Sequence, residues 1–334
     1  MTDQGIGVSS ADVTAAGVGR EDTAGRPFRD FASLIRSLRV ADPPRLAVAG
    51  AASKEVLQGV ALAVQHGIAV PILVGNAERI APLAESVDLD LGSVALIDER
   101  DEAAIVRQAV GLVQRNEAQI LMKGQVHTHV LMRAVLQREA GLRVGNTIGV
   151  VIVFQIPGTD RLVLATDPSI NIHPSLEDKA NLCRNAITMA HALGIKTPKV
   201  ALIAASEVVR SDLPSTVDAA CLSRLAQQGE FGDAIVDGPI QLDAALDSFV
   251  AKEKGMQSPV AGLADVLVLP DIEAANVLLK AVVYIARAEL GGSALGARVP
   301  IVLQSRVDTP AGWLRCVALS ALLQQYNTRV REGA

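Results

Sequence analysis

Short apolar runs alternate with stretches of helical periodicity along the first third of this chain. Runs at 45–48, 69–74, 94–97 and 120–122 have strand length, while 53–66, 77–86 and 101–115 place apolar residues at helical spacing. A further helix is expected over 28–40. Strands that alternate with helices in this way point to a parallel sheet covered by helices. The pattern changes at 145–154, where a long β-branched run precedes Pro157, Gly158 and a second strand over 161–165, which predicts a hairpin and hence a mixed sheet. Ser175, Leu176, Glu177 and Asp178 then read as a capping box. Leu176, Ala180, Cys183, Ile187 and Ala190 continue it as one helical face, ended by Gly194 and Pro198. Strands at 200–204, 234–236 and 266–269 follow and complete a second α/β region. The last strand is expected at 301–304. A helix then starts with Thr309 as N-cap and Pro310 in the first helical position.

Composition sets the scale. The chain has 334 residues, half of them hydrophobic, which is enough for two cores and predicts two domains. A net charge of −5 with 2% aromatic residues supplies neither the basic surface nor the stacking platforms of nucleic-acid binding. Residues 1–26, rich in Gly, Ala, Thr and Asp, lack the basic start and apolar stretch of a signal peptide and read as a disordered tail. No run approaches the roughly 18 apolar residues of a membrane span, so a soluble, cytoplasmic protein is expected. Cys183, Cys221 and Cys316 lie far apart without metal-ligand spacing, and His127 and His129 have no third ligand nearby. Packing is the expected role of the cysteines, and no metal site is expected.

The candidate chemistry sits in loops after strands. Ser305, Arg306, Val307 and Asp308 fill the turn between the last strand and the last helix, so a hydroxyl, a guanidinium and a carboxylate lie near unpaired helix N–H groups. Two readings stand for that turn: an anion site, or Asp308 and Thr309 capping the helix beside a solvated Arg306. A second constellation, Lys123, Gly124, His127, Thr128 and Arg133, follows the strand at 120–122. Gly124 would permit close backbone approach, and the basic residues would meet phosphate; the alternative is that Lys123 and Arg133 are surface charges. Arg143 is a weaker candidate of the same kind. Asp167 and Asn171 end the strand at 161–165 and could line a cleft, and Asn276 and Lys280, four apart, would share a helix face. The charged run Asp98, Glu99, Arg100, Asp101 reads as a solvated helix start.

The strings LMKGQVHTHVLMRAVL, TDPSINIHPSLEDK, DGPIQLDAAL, SPVAGLADVLVLPDIEAANVLLKAV and GARVPIVLQSR together resemble the phosphate acetyltransferase and phosphate butyryltransferase family, in the family's order over about residues 45 to 325. The resemblance implies an isocitrate/isopropylmalate dehydrogenase-like fold, two α/β domains with an interdomain cleft. Residues 27–147 plus 303–334 would form the first domain and 148–302 the second, the last helix packing on the N-terminal sheet. It further implies reversible acyl transfer between coenzyme A and inorganic phosphate, with acyl-CoA, phosphate and acyl phosphate as small-molecule partners. No tightly bound cofactor is implied, and a homodimer or higher homo-oligomer is. Arg306 would be the phosphate ligand, Ser305 a donor to the oxyanion or phosphate, and Asp308 a carboxylate of open role. The acidic residue that acts as base in related enzymes is replaced here by Gly312. Acetyl is the default acyl group, with butyryl possible. Two alternatives remain: a regulatory module that binds acyl-CoA or phosphate without turnover, and a metal-dependent hydroxy-acid dehydrogenase of the same fold. The second lacks a GxGxxG loop and a carboxylate cluster.

Overall fold

Side-chain caps fix most of the helix starts in the computed structural model, which describes residues 27–38, 42–137, 141–144, 147–155, 157–304 and 309–333. The first unit contains α1 (Phe31–Ser37), β1 (Arg45–Ala49), α2 (Lys54–Gln65), β2 (Val70–Gly75), α3 (Ala77–Glu85), β3 (Ala95–Asp98), α4 (Glu102–Gln114), β4 (Ile120–Lys123) and α5 (Thr128–Leu136). The hairpin β5 (Gly149–Gln155) and β6 (Leu162–Thr166) follows, then α6 (Leu176–Ala192), β7 (Lys199–Ile203), α7 (Pro214–Gln227) and β8 (Ile235–Ile240). Next come α8 (Leu242–Leu246), α9 (Ser248–Glu253), β9 (Val266–Val268), α10 (Ile272–Lys280) with a π-helical turn (Ala281–Ile285), β10 (Glu289–Leu295), β11 (Ile301–Val302) and α11 (Pro310–Arg331).

The strands form one sheet in the order β3-β2-β1-β4-β11-β10-β5-β6-β9-β7-β8. Two parallel blocks, β3-β2-β1-β4-β11 and β6-β9-β7-β8, are joined through β10 and β5, which pair antiparallel with each other and with their outer neighbours. Neighbouring residues of β1 point to opposite faces: Leu46 and Val48 join one apolar cluster with α2, α6 and α11, while Ala47 and Ala49 join another with α4 and α5. The core is therefore divided by sheet face, and each cluster runs under both halves of the chain.

Several expected bounds shift. The helix expected at 28–40 is confined to Phe31–Ser37, because Asp30 caps it by accepting from Ser33 N at 2.6 Å. The last strand stops at Val302, two residues short. The capping box is present as read: Asp178 N donates to Ser175 Oγ (3.1 Å) and Ser175 N donates to Asp178 Oδ2 (3.0 Å). Thr309 caps α11 by accepting from Gly312 N at 3.1 Å, and α11 packs against α2 and β10 with Trp313 fully buried. Among the described residues, no helix is long and apolar enough to cross a membrane.

Candidate active site

Because β11 pairs with β4 in parallel register, Val302 opposite Met122, the residues that follow the two strands emerge side by side. Lys123 ends β4, and Gln304 follows β11 by two residues. Both line a cleft of about 440 Å³ that lies over the β10–β5 junction. Four of the expected residues meet there: Lys123, Thr128, Asn276 and Lys280. Ser169, Ser293 and Gln304 add polar groups, while Val150, Ile152 and Leu290 give the cleft an apolar floor.

Lys123 is only 4% exposed, an unusual place for an ammonium group outside a binding site, with Nζ 3.4 Å from the carbonyl oxygen of Gly124. Thr128 is the first residue of α5. Asn276 and Lys280 stand on one side of α10, and the Asn276 amide donates to the carbonyl of Pro168 (3.1 Å), tying α10 to the loop after β6.

Gln304 was not among the expected residues. It is 8% exposed, and its Oε1 accepts from the Cys316 thiol (3.1 Å), whose sulfur accepts in turn from Gly292 N (3.1 Å). Among the described residues Gln304 Nε2 has no hydrogen-bond partner, although a buried amide donor without one costs about 1–3 kcal/mol. Ser293, also in the cleft wall, accepts from Ser320 Oγ at 2.9 Å. In sequence, the sign of Gln304 is a polar side chain closing an apolar strand directly before Ser305 and Arg306.

The remaining expected residues lie elsewhere. Asp167 is buried and accepts from four donors: Val150 N (3.0 Å), Ser169 N (3.1 Å), Asn171 N (2.9 Å) and Asn171 Nδ2 (2.6 Å). Asn171 Nδ2 also donates to Ile148 O at 2.9 Å. This pair shapes the loop that delivers Ser169 and Ile170 to the cleft. Gly124 does serve close backbone approach, but toward β1: a Cβ there would stand 2.3 Å from Gly50 O. His127 faces a separate cavity of about 260 Å³, with Nδ1 2.9 Å from Glu102 Oε1. The hydrogen bond from His127 N holds the Glu102 carboxyl below the usual carboxylate range. Arg133 on α5 and Arg143 are exposed and outside the cleft lining. Ser305, Arg306 and Asp308 lie outside the described residues, immediately after Gln304 and before Thr309. Among the described residues, no three His, Cys, Asp or Glu side chains are grouped to hold a metal ion. Burial pushes the Cys183 thiol up to about 12.

Residues 101–321 match the family described as Phosphate acetyl/butaryl transferase. A phosphate butyryltransferase of Clostridium beijerinckii is 38% identical over 90% of this chain and 99% of its own length. A phosphate acetyltransferase of Thermotoga maritima is 41% identical over 83% of this chain and 94% of its own. Among solved structures, a branched-chain phosphotransacylase of Enterococcus faecalis superposes with a TM-score of 0.76 at 30% identity, covering 84% of this chain and 99% of that one.

Proposed function

Because the chain belongs to the phosphate acetyl/butaryl transferase family, we propose that its cleft transfers a short acyl group reversibly between coenzyme A and inorganic phosphate. The observation that carries this assignment to the cleft is the pair Lys123 and Gln304. Lys123, a buried cation, and Gln304, whose Nε2 has no partner among the described residues, both line the cleft near the ends of β4 and β11, and Gln304 directly precedes Ser305 and Arg306 in the chain. Such a corner suits a phosphoryl group and the oxyanion that develops next to it.

In the direction of thioester formation, the coenzyme A sulfur forms a bond to the acyl carbonyl carbon while the bond from that carbon to the phosphate oxygen breaks. The departing phosphate keeps the electron pair and ends with the proton the thiol loses, so the step balances without an acyl-enzyme. Arg306 holds phosphate through its planar fork, with Lys123 as a second cation and Lys280 at the cleft margin. Ser305 and the Gln304 amide supply donors to the oxyanion. Asp308 orients Ser305 or receives the thiol proton in passing, since Gly312 offers no carboxylate and its N–H is bonded to Thr309. Thr128 and Asn276 contact the substrates from α5 and α10. Asp167 and Asn171 support the loop of Ser169. Gly124, His127 and Arg133, which do not line the cleft, are left for the coenzyme A moiety beyond it.

On this assignment the chain has the two-domain isocitrate/isopropylmalate dehydrogenase-like arrangement, 27–147 plus 303–334 against 148–302. Support comes from the cleft, lined by Lys123, Thr128 and Gln304 from the first segment set and by Val150, Asn276 and Ser293 from the second. Coenzyme A enters as substrate and no tightly bound cofactor is called for. Homo-oligomeric assembly is supported by exposed Val277, Tyr284 and Ile285, and a cytoplasmic setting by the absence of a disulfide at Cys183, Cys221 and Cys316. Acyl phosphate formation from acyl-CoA and phosphate, followed as release of coenzyme A thiol, tests the assignment. Binding of acyl-CoA without turnover would identify a regulatory module instead.

A further inference from the structure

Resting on that acyl-transfer reading, we infer that the cleft is built for acyl chains of four or five carbons, longer than the acetyl default, and that Gly292 sets the chain length it admits. The cleft combines polar walls, with Lys123, Gln304, Asn276 and Lys280, and an apolar floor. Lys123 and Gln304 stand where β4 and β11 end, while the floor beside them is made of Val150, Ile152 and Leu290. These side chains share one sheet face, because Gly292 pairs with Ile152 in the β10–β5 register and alternate residues of each strand point the same way. Leu279 and Val283, from α10 and the π-helical turn, form the facing wall.

A phosphate held by Lys123 puts the acyl carbonyl one bond away, with the acyl tail within reach of this floor. A two-carbon group ends before it covers the aliphatic wall; a four- or five-carbon chain buries it. Gly292 is the gap in the floor. A Cβ there would come 3.2 Å from Val151 O and 3.4 Å from Ile152 Cγ2, so the strand tolerates alanine with a small adjustment, at the cost of the space above it. The pantetheine arm of coenzyme A is the other candidate for an apolar wall. It is common to every acyl-CoA, so a wall that served it would give no dependence on acyl length.

The test is the ratio of kcat/KM for butyryl-CoA to that for acetyl-CoA, with inorganic phosphate as acceptor. Two further buried methylenes favour butyryl by about tenfold or more in the wild type. Gly292→Ala should lower that ratio at least about threefold. Val283→Phe, which fills the cleft from the facing wall without touching the strand, should lower it in the same sense even if the Gly292 variant does not fold. A wild type that prefers acetyl-CoA, or folded variants whose ratio equals that of the wild type, would overturn the inference and leave acyl transfer standing. Failure of both acyl-CoAs to yield acyl phosphate would remove the transferase reading and this inference with it.

Discussion

The Cys316 thiol and the Gln304 side chain form one hydrogen-bonded unit, Sγ to Oε1 at 3.1 Å, that fixes the amide in the cleft wall. The sulfur is already an acceptor for Gly292 N, so its hydrogen goes to Oε1, and the Gln304 NH2 has no partner among the described residues. Replacement by Gln304→Leu removes an unsatisfied donor together with the weak contact from the Cys316 thiol, so thermal stability should stay close to that of the wild type. If that donor serves the reaction, kcat should fall about tenfold to a hundredfold in the same variant. A loss of melting temperature with normal kcat would show that Gln304 is only a packing residue.

Lys123 lines the cleft but is itself only 4% exposed. Lys123→Met keeps much of the volume and removes the charge, and buried charges replaced by apolar groups of similar size often leave stability intact. Steady-state kinetics with varied phosphate should show kcat/KM for phosphate reduced by about a hundredfold. An unchanged value would detach the cleft from phosphate.

No enzyme thiol takes part in the proposed transfer. Cys183 and Cys316 are buried, and burial holds the Cys183 thiol near 12, far from the thiolate that alkylation needs. Iodoacetamide at pH 8 should leave activity intact, with Cys183 labelled only after unfolding, as peptide mapping would read. Inactivation in step with labelling of one native cysteine would point to a thiol in the mechanism.

Asp178 closes the capping box of α6 and also accepts from Thr147 Oγ1 at 2.7 Å, just before β5. The Ser175 hydroxyl, then that of Thr147, holds its carboxyl below the ordinary 3.8. A carboxyl that ionises more readily folded than unfolded stabilises the fold above pH 3.8, and this contribution is lost as pH falls through the lower folded value. Asp178→Asn should therefore cost about 1 kcal/mol at neutral pH, with the gap to wild type closing below about pH 3.8 in denaturant titrations. A gap independent of pH would mean the charge is irrelevant there.

Local signals were legible where one side chain decides a backbone position. Ser175 with Asp178, and Thr309 before Pro310, mark their helix starts in the sequence and in the fold alike. The strand β10 was not read, because its sequence ELGGSAL carries two adjacent glycines and no alternation, and only the paired β5 and buried α11 make it a strand. The same holds for the site. Lys123 stands out in the sequence as a cation at the end of an apolar run, whereas Gln304 shows its character only once β11, β10 and α11 bring Gly292 and Cys316 together with it. Asp167 looked like a cleft residue from its place after β6, but the four donors around it come from backbone folding that its sequence neighbours do not announce.

The most direct test of the central claim, that Arg306 holds phosphate for acyl transfer, is phosphorolysis of butyryl-CoA and acetyl-CoA by the wild type and by Arg306→Ala. The variant should show a phosphate KM raised, or a kcat lowered, by about two orders of magnitude while retaining its melting temperature. A near-normal rate in a folded Arg306→Ala protein would contradict the account and place the anion elsewhere.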